Sequence, residues 1–515
     1  MTRSSRFISG VGASYIAVVA SILYSLAIVP IGLRFLGTEQ FGLWMLLVQL
    51  SGYLNFIELG VFGSAARIII DYKDRKGDRA YARIIATASI ILVVQGILMM
   101  TICWLLAPWA VRLFNIPAPL HDVAIYLLVF LGFATGLTTC FRIFGAILYA
   151  NQRIDLIWAF TALNSLISLI IIWPLLAAGY GLFALPWSFL APVVSTIALS
   201  WFSCYKLRLL PHNLGFSDVK LHQFRELFKL GTDFFLVNVS NQLLEASQLL
   251  IISRTMGLGA AAVWSVSTKL FTLLFQLIAK LENTAVVFFS EMMARGEQEK
   301  LKSSFKQMYQ VTGALAVCGM IAAVAINPYF VNVWAGPDML WPYINNWLIS
   351  ALLSINLLLR CHTDLAMHTK RIGFLRWVFL VESLVFISIA LWVAPHLGFA
   401  GILAVSIICA LVFRSVYAMR RTATFFNTPT ALAGLQWMSF LWVPLLVSVF
   451  LALSVGPIVE KLTSPLGRLL SSVLICLTGS GTIFVLLAIP PDLRSLVFQR
   501  TSALPRMILK KLVRQ

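Results

Sequence analysis

Charge is scarce in this sequence. Only 11% of its 515 residues are Asp, Glu, Lys or Arg and 60% are apolar, whereas soluble domains run near ~25% charged and ~45–50% apolar. With a mean hydropathy of +0.90, a water-soluble fold is excluded. Acidic residues are scarcer still, 20 against 39 basic ones. The cations fall in short stretches between apolar runs instead of gathering on one solvated face, which speaks for membrane topology and against nucleic acid. The seven cysteines form no C-x-x-C pair, no H-E-x-x-H occurs, and His362 and His368 have no ligand spacing. No metal, cofactor or redox role is therefore expected. No interhelical loop is much longer than about twenty residues, so a soluble catalytic domain is lacking too.

What is present is a series of apolar runs such as Ile84 to Leu105 and Ala159 to Tyr180. They match the ~20 residues that cross a ~30 Å hydrocarbon core. In that medium each backbone N–H and C=O has to be bonded within its own segment, so runs of this length are helices. The fold class is all-α: a polytopic membrane protein of about fourteen spans, near 9–35, 40–66, 84–108, 119–148, 155–178, 183–205, 229–253, 259–291, 307–328, 341–368, 375–395, 398–419, 435–457 and 467–490. The apolar stretch after Arg3 and Arg6 runs to Phe35, too long for a signal h-region, and is expected to remain as the first span. With the amino terminus on the cytoplasmic side, that side receives 29 Lys and Arg, the other side 5, and 5 fall within helices. Both termini are accordingly expected in the cytoplasm.

A repeat organises these helices. Arg34-Phe35-Leu36-Gly37 and Trp44 at the joint of helices one and two are matched by Arg254-Thr255-Met256-Gly257 and Trp264 at the joint of helices seven and eight, all at an offset of 220. Six is an even number of crossings, so the two halves run parallel about an axis along the membrane normal. The expected organisation is a lobe at 1–212, a second lobe at 213–428, two more helices at 429–490 and a basic cytoplasmic tail at 491–515. Such pseudo-symmetric six-helix lobes suit alternating access.

Polar residues inside the spans mark the working surface. A charge at the centre of a span costs ~2.5–3.5 kcal/mol, so ten facing lipid would exceed the ~5–15 kcal/mol of a normal stability. Helix seven carries Asn238, Asn241, Gln242, Glu245 and Gln248 at helical spacing. Helix eight carries Ser265, Thr268, Lys269, Thr272, Gln276, Lys280 and Asn283, helix two Ser51, Asn55 and Glu58, and helix ten Ser350, Ser354, Arg360 and Asp364. Helix-to-helix glue is the better reading of the Ser and Thr positions. A wet cavity is the better reading for Lys269, Lys280, Glu245 and Glu58. Arg360 and Asp364, one turn apart, are placed to pair. Glu282 lies two residues from Lys280 and so faces elsewhere. Arg142 and Arg414, toward helix ends, are expected to snorkel to headgroups. Pro30, just before the repeated Arg-x-x-Gly turn, is the preferred hinge.

Leu33-Arg34-Phe35-Leu36-Gly37 with Phe41-Gly42-Leu43-Trp44, then Glu58-Leu59-Gly60 and Gly63-Ser64-Ala65, resembles the polysaccharide-biosynthesis flippases such as the O-antigen flippases. Ala150-Asn151-Gln152-Arg153 is similar to that family's Gly-x-Gln-Arg segment, with Ala150 for the glycine, and Ile251-Ile252-Ser253 with Gly257 resembles its second-half signature. Glu58 stands where an Asp is common. The resemblance implies the multidrug/oligosaccharidyl-lipid/polysaccharide exporter superfamily and a MATE-like fold, with a cavity lined by helices one, two, seven and eight. It implies a multi-pass protein of the bacterial inner membrane that moves an undecaprenyl-diphosphate-linked oligosaccharide outward, coupled to H⁺ or Na⁺. Membrane lipids and the polysaccharide polymerase machinery are the other partners implied. On that reading Lys269 and Lys280 hold the diphosphate, with Arg360 as a further cation. Asn238, Asn241, Gln242 and Gln248 bond the sugars, and Glu58 or Glu245 takes the coupling ion. Two rivals stay open: a drug or metabolite antiporter of the same fold, and a membrane-embedded glycosyltransferase or polymerase.

Overall fold

The computed structural model describes residues 3–58, 60–72, 79–211, 221–368, 374–428 and 436–489, without side chains at 3–13, 15, 67, 71, 221–235, 238, 284, 286, 287, 290, 291, 294 and 368. The Asn238 and His368 side chains and the basic tail at 491–515 thus lie outside the description. Every element among the described residues is a helix or a short helical turn. Ten are long and apolar enough to cross a bilayer, eleven when one broken pair is counted as a span. The outer surfaces carry Trp104, Trp392, Trp442, Phe450 and Leu474, all more than 60% exposed. A surface of that kind is stable only against lipid. The protein is a multi-pass membrane protein.

The first helix, α1 (Arg3–Gly52), is 50 residues long. At 1.5 Å per residue a straight rod of that length would reach ~75 Å, more than twice the hydrocarbon thickness. The chain leaves the helical region at Gly37, with φ 74° and ψ 176°, a conformation glycine reaches without a Cβ clash. The long run therefore joins the first expected span to the first half of the second. The same happens in α14 (Leu375–Cys409) at Gly398, with φ 57°.

Contacts divide the chain into two compact units, Met1–Ser265 and Val266–Gln515. In the first, α1 packs on α6 (Ile154–Ala177), α6 on α7 (Ala184–Lys206), and α3 (Arg79–Leu113) on α4 (His121–Cys140). One end is closed by a core of α2 (Val61–Tyr72), α3, α5 (Ile143–Ala150) and α7, where Ile69, Tyr81, Leu92, Ile147 and Cys204 are fully buried. The Tyr81 hydroxyl donates to the Leu209 carbonyl at 2.8 Å, so its one polar atom is satisfied. The helix α8 (Leu221–Met256) belongs to this unit because it packs on α1, α2 and α3.

In the second unit α10 (Lys269–Ala294) packs on α11 (Gln298–Leu315) and α13 (Ile344–His368). α13 in turn contacts α14 and α15 (Val416–Phe425). The final pair, α16 (Trp442–Val459) and α17 (Pro465–Ile483), rests on α12 (Ile321–Ala335) through Val455, Val459, Cys476 and Ile321. π-helical turns interrupt this unit at Ala316–Met320, Ala410–Ser415 and Phe484–Ala488. Such turns widen a helix locally and recur at functional positions.

Candidate functional site

The eighth span is broken by design. α9 (Leu258–Ser267) ends one residue before α10 begins at Lys269. A break within a bilayer frees backbone groups that no water can satisfy, so side chains have to take them. Here Asn327 Nδ2 donates to the Ser267 carbonyl at 3.0 Å and to Asn346 Oδ1 at 2.8 Å. Trp341 Nε1 donates to the same Asn346 oxygen at 3.0 Å, and the Ser267 hydroxyl donates to the Met339 carbonyl at 2.8 Å. Ser267, Asn327 and Asn346 are 1% exposed or less. This buried network holds the start of α10 in place, and Lys269 is the first residue of that helix, at its positive end.

At 100° per residue, Lys269, Thr272, Gln276, Lys280 and Asn283 fall within a sector of about 80° on α10. The stripe is accessible: Gln276 and Asn283 are exposed, while Lys269, Thr272 and Lys280 are half-buried. Lys269 and Lys280 stand on the same face, about 16 Å apart along the axis. Glu282 points to the opposite side and is completely buried, as its two-residue offset from Lys280 implies.

Glu282 meets α13. Its Oε2 lies 3.5 Å from Arg360 Nε, and the Cys361 thiol donates to its Oε1 at 3.5 Å. Arg360 also faces Asp364 at 3.4 Å and donates from Nη2 to Asn283 Oδ1 at 2.7 Å. The expected Arg360 to Asp364 pair is present, but the guanidinium has two further partners on α10 that sequence spacing did not show. Arg360 is thus a knot between two helices.

A second buried pair lies nearby in the chain. Arg414, on the π turn after α14, donates from Nε to Glu382 Oε1 at 2.9 Å and from Nη2 to Asn356 Oδ1 at 3.1 Å, with Phe379 5.4 Å from its guanidinium. The Glu382 side chain is completely buried and that of Arg414 is 14% exposed. Arg414 does not snorkel outward. A buried carboxylate on the adjacent helix offers it a partner without desolvating an unpaired charge.

Arg142 also has an acid partner on another helix. α1 gives way at Tyr53 to a 3₁₀ turn ending at Glu58. Glu58 accepts from the Phe62 N–H at the start of α2 at 3.2 Å and forms an ion pair with Arg142. Gln95 Nε2 donates to the Glu58 carbonyl at 3.1 Å, and the Arg142 guanidinium lies 4.7 Å from the Phe62 ring. The break in helix two is thus held by groups from α3 and from the turn between α4 and α5. On α8, Asn241, Gln242 and Gln248 are half-buried and Glu245 is exposed. The Gln242 amide lies against Gly52, and Tyr53 shares a hydrogen bond with Ser247 at 3.1 Å. Helix continues through Pro30, and the non-helical backbone falls seven residues later, at Gly37.

Paired positions of the repeat share local features. Gly37 and Gly257 both have positive φ, 74° and 90°, and Trp44 and Trp264 are 6% and 7% exposed. Arg142 and Arg360, each paired to an acid on the second helix of its own half, are 218 residues apart. The same offset relates the pair Asn164 and Thr196, hydrogen-bonded at 2.6 Å, to Glu382 and Arg414. One half carries a neutral bond where the other carries a charged one.

His362 bonds the Thr422 hydroxyl through Nδ1 at 2.9 Å and packs against Tyr309 at 4.8 Å, a structural role. Among the described residues no group of three His, Cys, Asp or Glu could hold a metal. Sequence reasoning missed Ser267, Asn327, Trp341 and Asn346. An asparagine at 327 in the middle of an apolar run was the one signal available.

Comparison with known proteins adds to this geometry. The family model described as "Polysaccharide biosynthesis protein" matches residues 33–340. No curated protein sequence matches the chain. Among solved structures, the lipid II flippase MurJ in an inward closed conformation superposes with a TM-score of 0.69 at 14% identity, over 93% of this chain and 98% of that one. An inward-facing multidrug resistance MATE family transporter of the MOP superfamily gives 0.63 at 12% identity, over 81% and 96%. A MOP superfamily transporter from Pyrococcus furiosus gives 0.54 at 13%, over 82% and 95%. Identities this low establish the fold and leave the substrate to the site. The chain belongs to the polysaccharide biosynthesis protein family and has the all-helical fold of the MOP superfamily transporters.

Proposed function

We propose that this protein is a flippase that carries an undecaprenyl-diphosphate-linked oligosaccharide from the cytoplasmic to the outer leaflet of the bacterial inner membrane. The observation that carries the reading is the accessible stripe on α10, with Lys269 at the start of a helix after a break and Lys280 three turns further on. Half-helix starts inside a membrane suit anionic groups, and an ammonium in a low-dielectric space binds a diphosphate far more strongly than it would in water. Gln276, Thr272 and Asn283 on the same face supply neutral partners for sugar hydroxyls, and Asn241, Gln242 and Gln248 on α8 supply others, with Asn238 assigned to that group from its spacing alone. Membership of a polysaccharide-biosynthesis family supports a saccharide cargo.

Transport on this reading is by alternating access, coupled to H⁺ or Na⁺. Glu58 and Glu245 are the candidates for the coupling ion; Glu58 would act from within its Arg142 pair, Glu245 from the exposed face of α8. Both termini are assigned to the cytoplasm by the Lys and Arg distribution. In proteoliposomes, Lys269→Ala and Lys280→Ala are expected to abolish leaflet transfer of the lipid-linked saccharide while leaving insertion and folding intact. Wild-type transfer by both variants would remove the assignment.

A further inference from the structure

Past the working stripe, where α10 reaches the membrane boundary, the second unit holds a cavity of 860 Å³. Its walls come from the last turn of α10, the first of α11, the end of α13 and all of α15. Met292, Met293, Leu301 and Leu365 form the apolar part, and Arg420 and Arg421 stand with Thr424 on the polar part. Among the described residues none that lines it is acidic. Arg420 is exposed.

The wall is pinned rather than loose. His362 ties α15 to α13 through Thr422, and Lys302 Nζ donates to the Phe426 carbonyl at 3.4 Å, tying α11 to the end of α15. Glu297, on the approach to α11, is paired with Lys300 at 3.0 Å. Lys280 precedes Met292 by twelve residues, about 18 Å along the helix, so this cavity is separate from the α10 stripe.

We infer that this cavity binds the headgroup of an anionic phospholipid, with the phosphate on Arg420 and Arg421 and the start of an acyl chain along Met292, Met293 and Leu365. Three observations select that occupant. The cavity sits at the end of the spans that the Lys and Arg distribution assigns to the cytoplasm, the leaflet whose anionic lipids meet basic pockets between helices. The volume lies within the ~300–1,000 Å³ of ligand sites. One wall is apolar and the other cationic, which fits a group that is charged at one end and greasy at the other. The inference stands apart from the flippase reading, since it uses no residue of the α10 stripe.

The test is native mass spectrometry of the full-length detergent-purified protein, titrated with phosphatidylglycerol and phosphatidylcholine of equal chain length. Phosphatidylglycerol is expected to be retained at least tenfold more strongly. Arg420→Gln is expected to weaken it about fivefold, the factor for one cation near a membrane surface, and the double variant Arg420→Gln, Arg421→Gln about 25-fold. Arg420→Lys keeps most of the retention, and Arg295→Gln, a cation outside the cavity wall, leaves it unchanged. Equal retention of the two lipids, or an unaffected double variant, would overturn the inference. So would displacement by millimolar inorganic phosphate, which would mark a site for free phosphate. Retention of undecaprenyl diphosphate in preference to phosphatidylglycerol would overturn it in favour of the cargo.

Discussion

Replacing Arg414 by threonine leaves the Glu382 carboxylate in a site with no exposure and without its cation. Removing one partner of a buried ion pair costs about 3–5 kcal/mol, because the other charge stays buried and uncompensated. Against a total near ~5–15 kcal/mol, that is about a fifth of the stability or more. The opposite half of the molecule suggests the remedy, since it places Asn164 and Thr196 at the corresponding positions and bonds them at 2.6 Å. The double variant Glu382→Asn, Arg414→Thr transplants that neutral pair and is expected within about 1 kcal/mol of wild type, as replacement of whole buried pairs often is nearly neutral. The two single variants and the double form a cycle whose coupling energy should reach about 2 kcal/mol or more. Tryptophan fluorescence of the purified protein, followed through unfolding in mixed micelles, measures all four corners. Arg414→Thr as stable as the double variant, or energies that simply add, would refute both the pair and its equivalence to Asn164 and Thr196.

Two more variants test the helix breaks. Asn327→Leu removes the donor to the Ser267 carbonyl and should cost about 1–3 kcal/mol, the penalty of an unsatisfied buried group; hydrogen exchange across residues 265–272 should rise, and unchanged protection there would contradict the proposed support. Gly42→Ala places a Cβ against the Leu258 carbonyl, inside contact distance, so α1 and the start of α9 must separate at a cost of about 1–3 kcal/mol. Gly63→Ala, which meets nothing within 4 Å, is the control, and equal folded yields from the two would argue against the close approach.

The parts of the site that depend on local spacing were legible in the sequence. Lys269, Thr272, Gln276 and Lys280 share a face because 3.6 residues make a turn, and Glu282 leaves that face for the same reason. The Arg-x-x-Gly repeat marked both joints, since only a glycine turns the chain there at positive φ. What stayed hidden depends on tertiary pairing. Glu58 and Arg142 are separated by 84 residues, Glu382 and Arg414 by 32, and no helical period connects them. Seen alone, an arginine near a helix end looks ready to snorkel; its acid partner on another helix becomes visible only in the packed structure. The Asn327 network was missed for a related reason, because the break after Ser267 carries neither Gly nor Pro to mark it.

The central claim is that the cargo is a lipid-linked saccharide. It is tested most directly by deleting the gene and measuring, with a leaflet-selective probe, where undecaprenyl-diphosphate-linked oligosaccharide resides. The account predicts accumulation on the cytoplasmic leaflet with loss of the surface polysaccharide, reversed by the wild-type gene and not by Lys269→Ala. Intact surface polysaccharide with no accumulation would contradict it.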